Sequence, residues 1–310
     1  MHDDSAMINE VRSERIRLEN EALEVEAATD FGPRILHLAA RGMPYLLGFA
    51  PGARVKTPWG DWRPVGGHRL WLAPEDRPRS YHPDDSPVRV RRTAREAVLT
   101  GASEAGTGLQ KQMILRLEPR RLEVRHRLLN RGRRPIDASA WALSICRPGS
   151  TGIVPREPWL DWGKEVRPAG PIALWHYTDP ADPRFSFRRE ATLVRADAAN
   201  GSPTKLGFGN FQGWAACRSG SSVFLKSFLF EPGARYPDFG STTEVYTKGG
   251  FLELETLGPI RTLRPGEAAE HIEWWHALEG IRGLPDAIRR CRALASPNRA
   301  RAAAPRPAPR

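Results

Sequence analysis

Cysteine and lysine are scarce in this sequence, and long hydrophobic runs are absent from it. Three cysteines at wide spacing, Cys146, Cys217 and Cys291, provide neither a disulfide framework nor a zinc pattern, so we expect reduced thiols. No apolar run approaches the roughly 20 residues that a membrane-spanning helix needs. Residues 1–6 are polar and acidic and lack the basic-then-apolar layout of a secretory signal. We therefore expect a cytoplasmic protein without a membrane partner.

The net charge of +11 is concentrated in one part of the chain. Residues 289–310 contain seven arginines and no acidic residue, and the rest of the chain carries only +4. The segment 296–310 is rich in Ala, Pro and Arg and cannot bury a core, so we predict a disordered tail. A basic arm that contacts phosphates is the alternative. Because no aromatic residue is interleaved for base stacking, we do not expect nucleic acid as a partner.

Short segments in which apolar and polar residues alternate fill most of the chain, and turn residues separate them. Residues 121–128, Arg-Leu-Glu-Val-Arg-His-Arg-Leu, are a clear example. The chain has about fifteen such segments, more than the strands of an immunoglobulin-type sandwich. It has no repeat of 20–50 residues that would indicate a propeller or solenoid. Helical periodicity is convincing only at 285–295. We predict an all-β fold of large antiparallel sheets at 15–284, an N-terminal extension at 1–14 and a short C-terminal helix.

Residues 66–75, Gly-Gly-His-Arg-Leu-Trp-Leu-Ala-Pro-Glu, combine several groups that bind polar ligands. Adjacent glycines mark a turn more often than a ligand loop. Arg69, however, offers a planar fork of donors for hydroxyls, carboxylates or phosphates. His68 titrates near neutral pH and is a candidate proton donor, and Glu75 is placed to orient Arg69. Trp71 adds a flat apolar face, so the segment predicts a ligand site.

A second group of carboxylates lies in residues 251–256, Phe-Leu-Glu-Leu-Glu-Thr. In a strand, Glu253 and Glu255 share one face while the leucines share the other. A solvated face is the ordinary interpretation of this spacing. In a cleft, two close carboxylates acquire different pKa values, and one of them suits a general base. Glu244 lies one strand earlier and is predicted to join the same site.

Lys111 and Lys226 each interrupt an apolar strand pattern. They either reach water at a sheet edge or face a cleft as cations that hold an anionic substrate. The chain also has ten tryptophans. Most tryptophans serve cores, but sugar rings stack on indole faces, and Trp71 and Trp141 are our candidates for this role. Donors, acceptors and flat apolar faces together predict a carbohydrate site.

Motifs for other chemistries fail on spacing. The chain has no Gly-x-Ser-x-Gly elbow and no Gly-Lys-Ser/Thr phosphate loop. The glycines of 207–213 miss the dinucleotide-binding pattern by one residue and lack a following helix. Residues 271–276, His-Ile-Glu-Trp-Trp-His, look like a metal cluster, but a strand turns His276 away from His271 and Glu273. We therefore expect neither a metal nor a cofactor.

Taken together, these residues resemble the galactose-mutarotase-like (aldose 1-epimerase-like) superfamily. Within it, the chain is similar to a bacterial branch, a domain-of-unknown-function family marked by Gly-Gly-His-Arg…Ala-Pro-Glu. The similarity covers 15–284, and residues 66–75, 109–111, 130–155 and 236–273 carry it. The resemblance implies a β-supersandwich, in which two large antiparallel sheets stack and a sugar binds in a cleft across one of them.

The resemblance also implies roles for individual residues. The family's base is a glutamate in a Leu-Glu-Thr context, which matches Glu255, and a family arginine after a glycine turn binds the sugar and matches Arg69. The family's acid is a histidine, but the corresponding position here is near Trp141 and holds no histidine. We therefore expect His68, or else His82, to protonate the ring oxygen.

The expected function is acid/base isomerisation at the anomeric carbon of an aldose or an acidic sugar. Because the family histidine is missing, a non-catalytic carbohydrate-binding domain of the same fold stays open as an alternative. A third interpretation is a lyase on an acidic sugar with Tyr246 as its base. The expected partner in each case is a small-molecule sugar, and the oligomeric state does not follow from the sequence.

Overall fold

The computed structural model describes residues 13–303 except 51, 53 and 78, and it confirms the predicted all-β fold. Within these residues, 22 strands pair antiparallel in two ten-stranded sheets and one two-stranded ribbon. Sheet 1 consists of β1 (Arg15–Glu19), β2 (Leu23–Ala28), β3 (Arg34–Ala40), β6 (His68–Ala73), β11 (Ile136–Ile145), β13 (Ile172–Leu174), β16 (Thr204–Phe208), β19 (Thr243–Lys248), β20 (Phe251–Leu257) and β21 (Arg261–Leu263). Its spatial order is β1-β2-β3-β6-β11-β20-β19-β16-β13, and β21 pairs with β11.

Sheet 2 also contains ten strands. It consists of β7 (Arg89–Arg92), β8 (Glu96–Ser103), β9 (Leu109–Leu117), β10 (Leu122–Asn130), β12 (Thr151–Pro155), β14 (Phe185–Phe187), β15 (Ala191–Arg195), β17 (Trp214–Ser219), β18 (Ser222–Phe228) and β22 (Ala268–Leu278). Its spatial order is β14-β15-β12-β17-β18-β22-β10-β9-β8-β7. The ribbon consists of β4 (Val55–Thr57) and β5 (Gly60–Trp62).

The main hydrophobic core lies between the two sheets. Leu70, Leu72 and Leu254 of sheet 1 belong to the same buried cluster as Met113 and Phe224 of sheet 2. Each such side chain contributes about 1.5–3 kcal/mol when it leaves water. Because successive residues of a strand point to opposite faces, the neighbours of these leucines point away from the core. The outer face of sheet 1 is therefore free to carry other chemistry.

The helices are few and short apart from the last one. Within the described part of the chain they are a 3-10 helix at Arg79–Tyr81, a helical turn α1 at Pro237–Gly240 and the C-terminal helix α2 at Leu284–Ala303. Ile288 and Cys291 of α2 pack against Trp214 and Leu225 on the outer face of sheet 2. None of the helices that the structure describes has the length and apolarity needed to cross a bilayer.

Helix α2 ends eight residues beyond the predicted end at 295. Alanine and arginine are strong helix formers, and their abundance after 295 continues the helix past its apolar stripe. Part of the predicted tail is thus helical. Residues 1–12 of the predicted N-terminal extension and residues 304–310 of the predicted tail lie outside the described residues.

Candidate functional site

A cavity of about 660 Å³ opens on the outer face of sheet 1. This volume lies within the range of small-molecule sites. Alternate positions of five neighbouring strands line it, namely Arg69, Trp71, Trp141, Lys205, Tyr246 and Glu255. The intervening residues Leu70, Ala140, Leu206, Val245 and Leu254 belong to the core. The same period-two pattern that builds the sandwich therefore collects polar side chains in one concavity.

Arg69 and Glu255 are far apart in the chain but line the same cavity. Strand β11 lies between β6 and β20, and its Leu143 is the register partner of both Arg69 and Glu255. The two side chains therefore project from one row of sheet 1. This placement brings together the two segments that the sequence indicated as a site.

A tight turn of residues 64–67 leads into β6 and fixes the position of Arg69, the second residue of that strand. Gly67 has φ +68°, and a Cβ atom there would lie 2.1 Å from the carbonyl oxygen of Ile35. The buried guanidinium of Arg34 donates to the carbonyls of Pro64 and Gly66, each at 2.8 Å. The glycines therefore shape a turn, as their pairing predicted, and the turn positions the arginine rather than a ligand.

Arg69 is held on two sides. Its Nη1 donates to Oε1 of Glu253 at 2.6 Å, and its guanidinium carbon lies 4.5 Å from the ring centre of Trp71 and 5.5 Å from that of Trp62. With an ion pair and two aromatic rings around it, the Arg69 side chain is only 2% exposed. Arg69 thus presents a rigid, positively charged wall to the cavity.

Glu255 belongs to a buried group of two carboxylates and one ammonium. Lys205 Nζ lies 2.6 Å from Glu244 Oε2 and 3.0 Å from Glu255 Oε2, and the indole of Trp141 donates to Glu255 at 2.9 Å. Glu244 and Glu255 are cross-strand partners. Burial raises the pKa of Glu255, and the nearby Glu253 adds to this while Lys205 opposes it. Glu255 is therefore a stronger base than an exposed glutamate.

Glu244 lies beneath the cavity rather than on its wall. Burial raises the pKa of Glu244 well above its ordinary value, and the negative charge of Glu255 raises it further. The ammonium of Lys205 keeps its proton because both carboxylates raise its pKa, which more than offsets its burial. Two carboxylates beside one cation in a dry site favour uptake of one proton. Glu244 thus acts on Glu255 and does not contact the open space.

Tyr177 and Tyr246 add hydroxyl groups to the polar wall of the cavity. Burial, together with Glu253 and Glu255, raises the pKa of Tyr246 to about 12. Burial also raises the pKa of Tyr177. Both phenols stay protonated at neutral pH and can donate hydrogen bonds to a ligand.

The structure places His68 away from the cavity. It shares β6 with Arg69 but points to the opposite face, between the sheets, where its Nε2 lies 2.7 Å from Nε2 of His126 and its Nδ1 2.8 Å from the Ser144 hydroxyl. Burial lowers the pKa of His68 far below its ordinary value, and Lys226 lowers it further. The expectation that His68 donates a proton to a ligand conflicts with this position, because adjacent strand residues cannot share a face.

Lys111 and Lys226 also point between the sheets, and neither is among the described residues that line the cavity. Lys226 pairs with Glu273 at 2.7 Å, and Lys111 pairs with Glu104 at 2.7 Å. A buried ammonium needs such a partner to offset its lost hydration. The substrate-binding role predicted for both lysines therefore conflicts with their placement.

Of the remaining candidate residues, three line the cavity and His82 is not among the described residues that do. Glu75 lines the cavity but accepts a hydrogen bond from the Tyr81 hydroxyl, so it does not orient Arg69. His82 stacks on Trp59 with ring centres 5.1 Å apart and is not among the described lining residues. Trp71 and Trp141 line the cavity, although they are only 3% and 1% exposed.

Among the described residues, His68, His126 and Glu273 form the group best suited to a metal ion, since their ligand atoms lie within 4.8 Å of one another. The Lys226 ammonium already neutralises Glu273. The imidazoles also satisfy each other: His126 Nδ1 donates to the His271 carbonyl at 3.0 Å, so its Nε2 accepts from His68. The cluster is thus satisfied as a hydrogen-bonded network without a further cation.

This network predicts a loss of stability in acid. Burial lowers the pKa of His126 from 6.5 to about 4. Between these values the unfolded chain binds a proton that the folded protein does not, so stability falls as pH falls. From pH 7 to pH 5, His126 alone should cost about 2 kcal/mol of unfolding free energy. Urea titrations at pH 7 and pH 5 measure the unfolding free energy. In His126→Phe this free energy should fall less between the two pH values than in the wild type, because one proton fewer is taken up on unfolding. An equal fall in both proteins would contradict the lowered pKa of His126.

Sequence reasoning missed Lys205 and Tyr177. The strand that carries Lys205, Thr-Lys-Leu-Gly-Phe, has five residues and no clear alternation. Lys205 is a lysine among apolar residues, which is the pattern that led us to select Lys111 and Lys226. Tyr177 lies in a turn after β13, where strand periodicity gives no information.

Comparisons with known proteins bear on the fold. No protein-family model matches the chain, and no curated protein matches it. Among solved structures, a galactose mutarotase-like protein from Lactobacillus casei is 11% identical with a TM-score of 0.52, covering 86% of this chain and 100% of that chain. A galactose mutarotase related enzyme from Lactobacillus acidophilus is 8% identical with a TM-score of 0.52, covering 87% and 99%. The chain therefore has the galactose mutarotase-like fold.

Proposed function

We propose that the cavity of sheet 1 binds a sugar and that the protein interconverts the anomers of an aldose or an acidic sugar. The observation that carries this proposal is that Arg69, Lys205 and Glu255 line one cavity of about 660 Å³ in a galactose mutarotase-like fold. Donors and a carboxylate there are flanked by the indoles of Trp71 and Trp141. Sugars present hydroxyls at their edges and C–H groups on their faces, and this lining matches both.

In the proposed reaction Glu255 takes the proton of the C1 hydroxyl. The electrons of that O–H bond form the C1 carbonyl, the bond between C1 and the ring oxygen breaks, and the ring oxygen accepts a proton. Rotation about the C1–C2 bond and reclosure give the other anomer. The raised pKa of Glu255 supports this role, because a base is most effective when its pKa approaches the working pH.

The proton for the ring oxygen comes from a hydroxyl of the cavity in this proposal. Tyr177 and Tyr246 line the cavity, and burial keeps both phenols protonated at neutral pH. They replace His68, which points between the sheets. A phenol gives up its proton less readily than an imidazolium, so we expect a slower reaction than a histidine acid would support.

A sugar-binding domain without catalysis is the second candidate, and two observations favour it. Glu255 is 1% exposed, and Lys205 and Trp141 already hold the same carboxylate oxygen. Trp141 also occupies the position where the resemblance leads us to expect a histidine acid. A site of this kind would bind the sugar through the same wall of donors and leave its anomers unchanged.

Exchange NMR separates the two candidates. We expect exchange peaks between the α and β anomers of glucose, galactose or their uronates to grow with protein concentration. Saturable binding with no acceleration of exchange would select the non-catalytic domain. A new double bond absorbing in the ultraviolet would instead indicate a lyase, with Tyr246 as the candidate base.

Arg69→Ala should weaken sugar binding by about 1–3 kcal/mol, because it removes a charged hydrogen-bond donor from the cavity wall. Isothermal titration calorimetry measures this loss. Arg184→Ala is the matched control, since Arg184 is equally buried and pairs with Asp182 at 2.6 Å, yet it is not among the described lining residues. Equal affinities of the two variants would remove Arg69 from the site.

A further inference from the structure

Lys226 lies directly behind the cavity, on the other side of sheet 1. It projects from β18 of sheet 2, and its side chain has no exposed surface. Its Nζ donates to the carbonyl of Ala142 at 2.9 Å and approaches that of Leu254 at 3.4 Å. Ala142 is the residue between Trp141 and Leu143, and Leu254 is the residue between Glu253 and Glu255. A cation of sheet 2 therefore binds the backbone of β11 and β20 in sheet 1. These two strands carry Trp141 and Glu255, which we call the cavity floor.

We propose that Lys226 is a positioning residue, which holds β11 and β20 together from behind and thereby fixes the indole of Trp141 against the carboxylate of Glu255. The two strands are already paired at these residues, with Ser144 opposite Leu254 and Leu143 opposite Glu255. The ammonium of Lys226 adds hydrogen bonds from sheet 2 to both strands at this point. We expect both strands to shift when these bonds are lost, and a shift of 1 Å at a reacting group can cost about 10²-fold in rate.

The ammonium is itself held in place. Glu273 accepts from Lys226 through Oε1 and from the indole of Trp275 through Oε2 at 2.8 Å. The hydroxyl of Thr256, the residue after Glu255, also donates to Glu273. The cluster behind the cavity thus contacts β20 through a side chain as well as a carbonyl. With these partners, the position of Lys226 is determined from several directions.

Lys226 also places a positive charge near Glu255, and the two groups interact electrostatically. Loss of this charge should make Glu255 harder to ionise. The other charged or titratable groups that act on Glu255 or meet it in the cavity are Lys205, Glu244, Glu253, Arg69, Tyr177 and Tyr246. These six groups are unchanged when Lys226 is replaced. Glu273 loses its ion-pair partner, so its titration is followed in the same spectra as that of Glu255.

The test compares Lys226→Met with Lys111→Met in the full chain. Both lysines are buried between the sheets and each pairs with one glutamate at 2.7 Å, but Lys111 contacts no strand that carries the cavity floor in the bonds described. Glu255 is titrated by carbon NMR of side-chain-labelled glutamate and assigned with Glu255→Gln. We expect Glu255 to titrate at higher pH in Lys226→Met and at the wild-type pH in Lys111→Met. Identical titrations in the two variants would overturn the proposal.

The kinetic consequence rests on the proposed function. Lys226→Met should lower the rate constant of anomer exchange by about 10- to 100-fold with KM changed less than about twofold, and Lys111→Met should change neither. Equal effects of the two variants would reduce Lys226 to a structural role. If the wild-type protein exchanges no anomers, the proposed function fails while the titration of Glu255 still tests the positioning role.

A double variant keeps the test decisive if Lys226→Met does not fold. Removing one partner of a buried ion pair leaves the other uncompensated, whereas replacing both is far less costly. Lys226→Met with Glu273→Gln should therefore fold. Because it removes one positive and one negative charge, its readout is the indole N–H resonance of Trp141, which should move when the hydrogen bond from Lys226 to the Ala142 carbonyl is lost. A wild-type Trp141 resonance in a folded double variant would contradict the proposal.

Discussion

Glu255→Gln is expected to abolish anomer exchange, with a loss of about 10²–10⁴-fold, and to leave the fold intact. The amide has the shape of the carboxylate, so its oxygen can still accept from the indole of Trp141, 2.9 Å away in the native protein. It cannot accept a proton from the C1 hydroxyl. Lys205 keeps its partner Glu244 at 2.6 Å, so the variant leaves no uncompensated buried charge. Exchange NMR measures the rate, and circular dichroism verifies the fold.

Glu253→Gln is the control for this prediction. Glu253 lines the same cavity but pairs with Arg69, so we assign it a part in binding the sugar rather than in moving a proton. We expect this variant to raise KM more than it lowers the rate constant. If Glu255→Gln interconverted the anomers at the wild-type rate and Glu253→Gln did not interconvert them at all, Glu253 would be the base instead of Glu255.

Lys205→Met should have the largest effect on stability. It removes the ammonium that lies within 3.0 Å of both Glu244 and Glu255, and breaking a buried ion pair in this way costs about 3–5 kcal/mol. The carboxylates would then take up protons more readily in the folded state than in the unfolded chain. Stability of the variant should therefore fall as pH rises from 5 to 8, because the folded state must release those protons.

Urea unfolding at pH 5 and pH 8 tests this second prediction. Lys248→Met is the matched control, since Lys248 lines the same cavity but is exposed and has no ion-pair partner among the described residues. Its replacement should change the unfolding free energy by less than about 0.5 kcal/mol. A similar small change in Lys205→Met, or a variant more stable at pH 8 than at pH 5, would contradict the account of the buried group.

The sequence predicted the fold class because strand alternation is a local property. Residues 121–128 show it clearly, and all but the first lie in β10, where the alternate positions Leu122, Val124 and Leu128 are buried in the core. Turn residues between such segments indicate where strands end. The short strands β6 and β16 are harder to predict, because five or six residues beside a glycine turn or with an irregular pattern carry little periodic signal.

The placement of His68 and Lys226 between the sheets differs from our expectation, and both differences have one cause. Alternation tells which residues share a face, but it does not tell which face meets the cavity. His68 and Arg69 are adjacent on β6, so only one of them could face a ligand, and the pattern did not choose. Lys226 shares a face with Phe224 and Phe228, which in retrospect marks that face as core. The pairing of Arg69 with Glu255 across β11 required sheet topology, which depends on distant contacts.

The binding of a sugar at this cavity is tested most directly by the indole N–H resonances of the tryptophans during a sugar titration. Our account predicts saturable shifts for Trp71 and Trp141, which line the cavity, with the Trp141 shift altered in Glu255→Gln. It predicts no shift for Trp274, whose indole donates to Glu123 on sheet 2. Saturable shifts at Trp274 with none at Trp71 or Trp141 would place the sugar elsewhere and contradict the account.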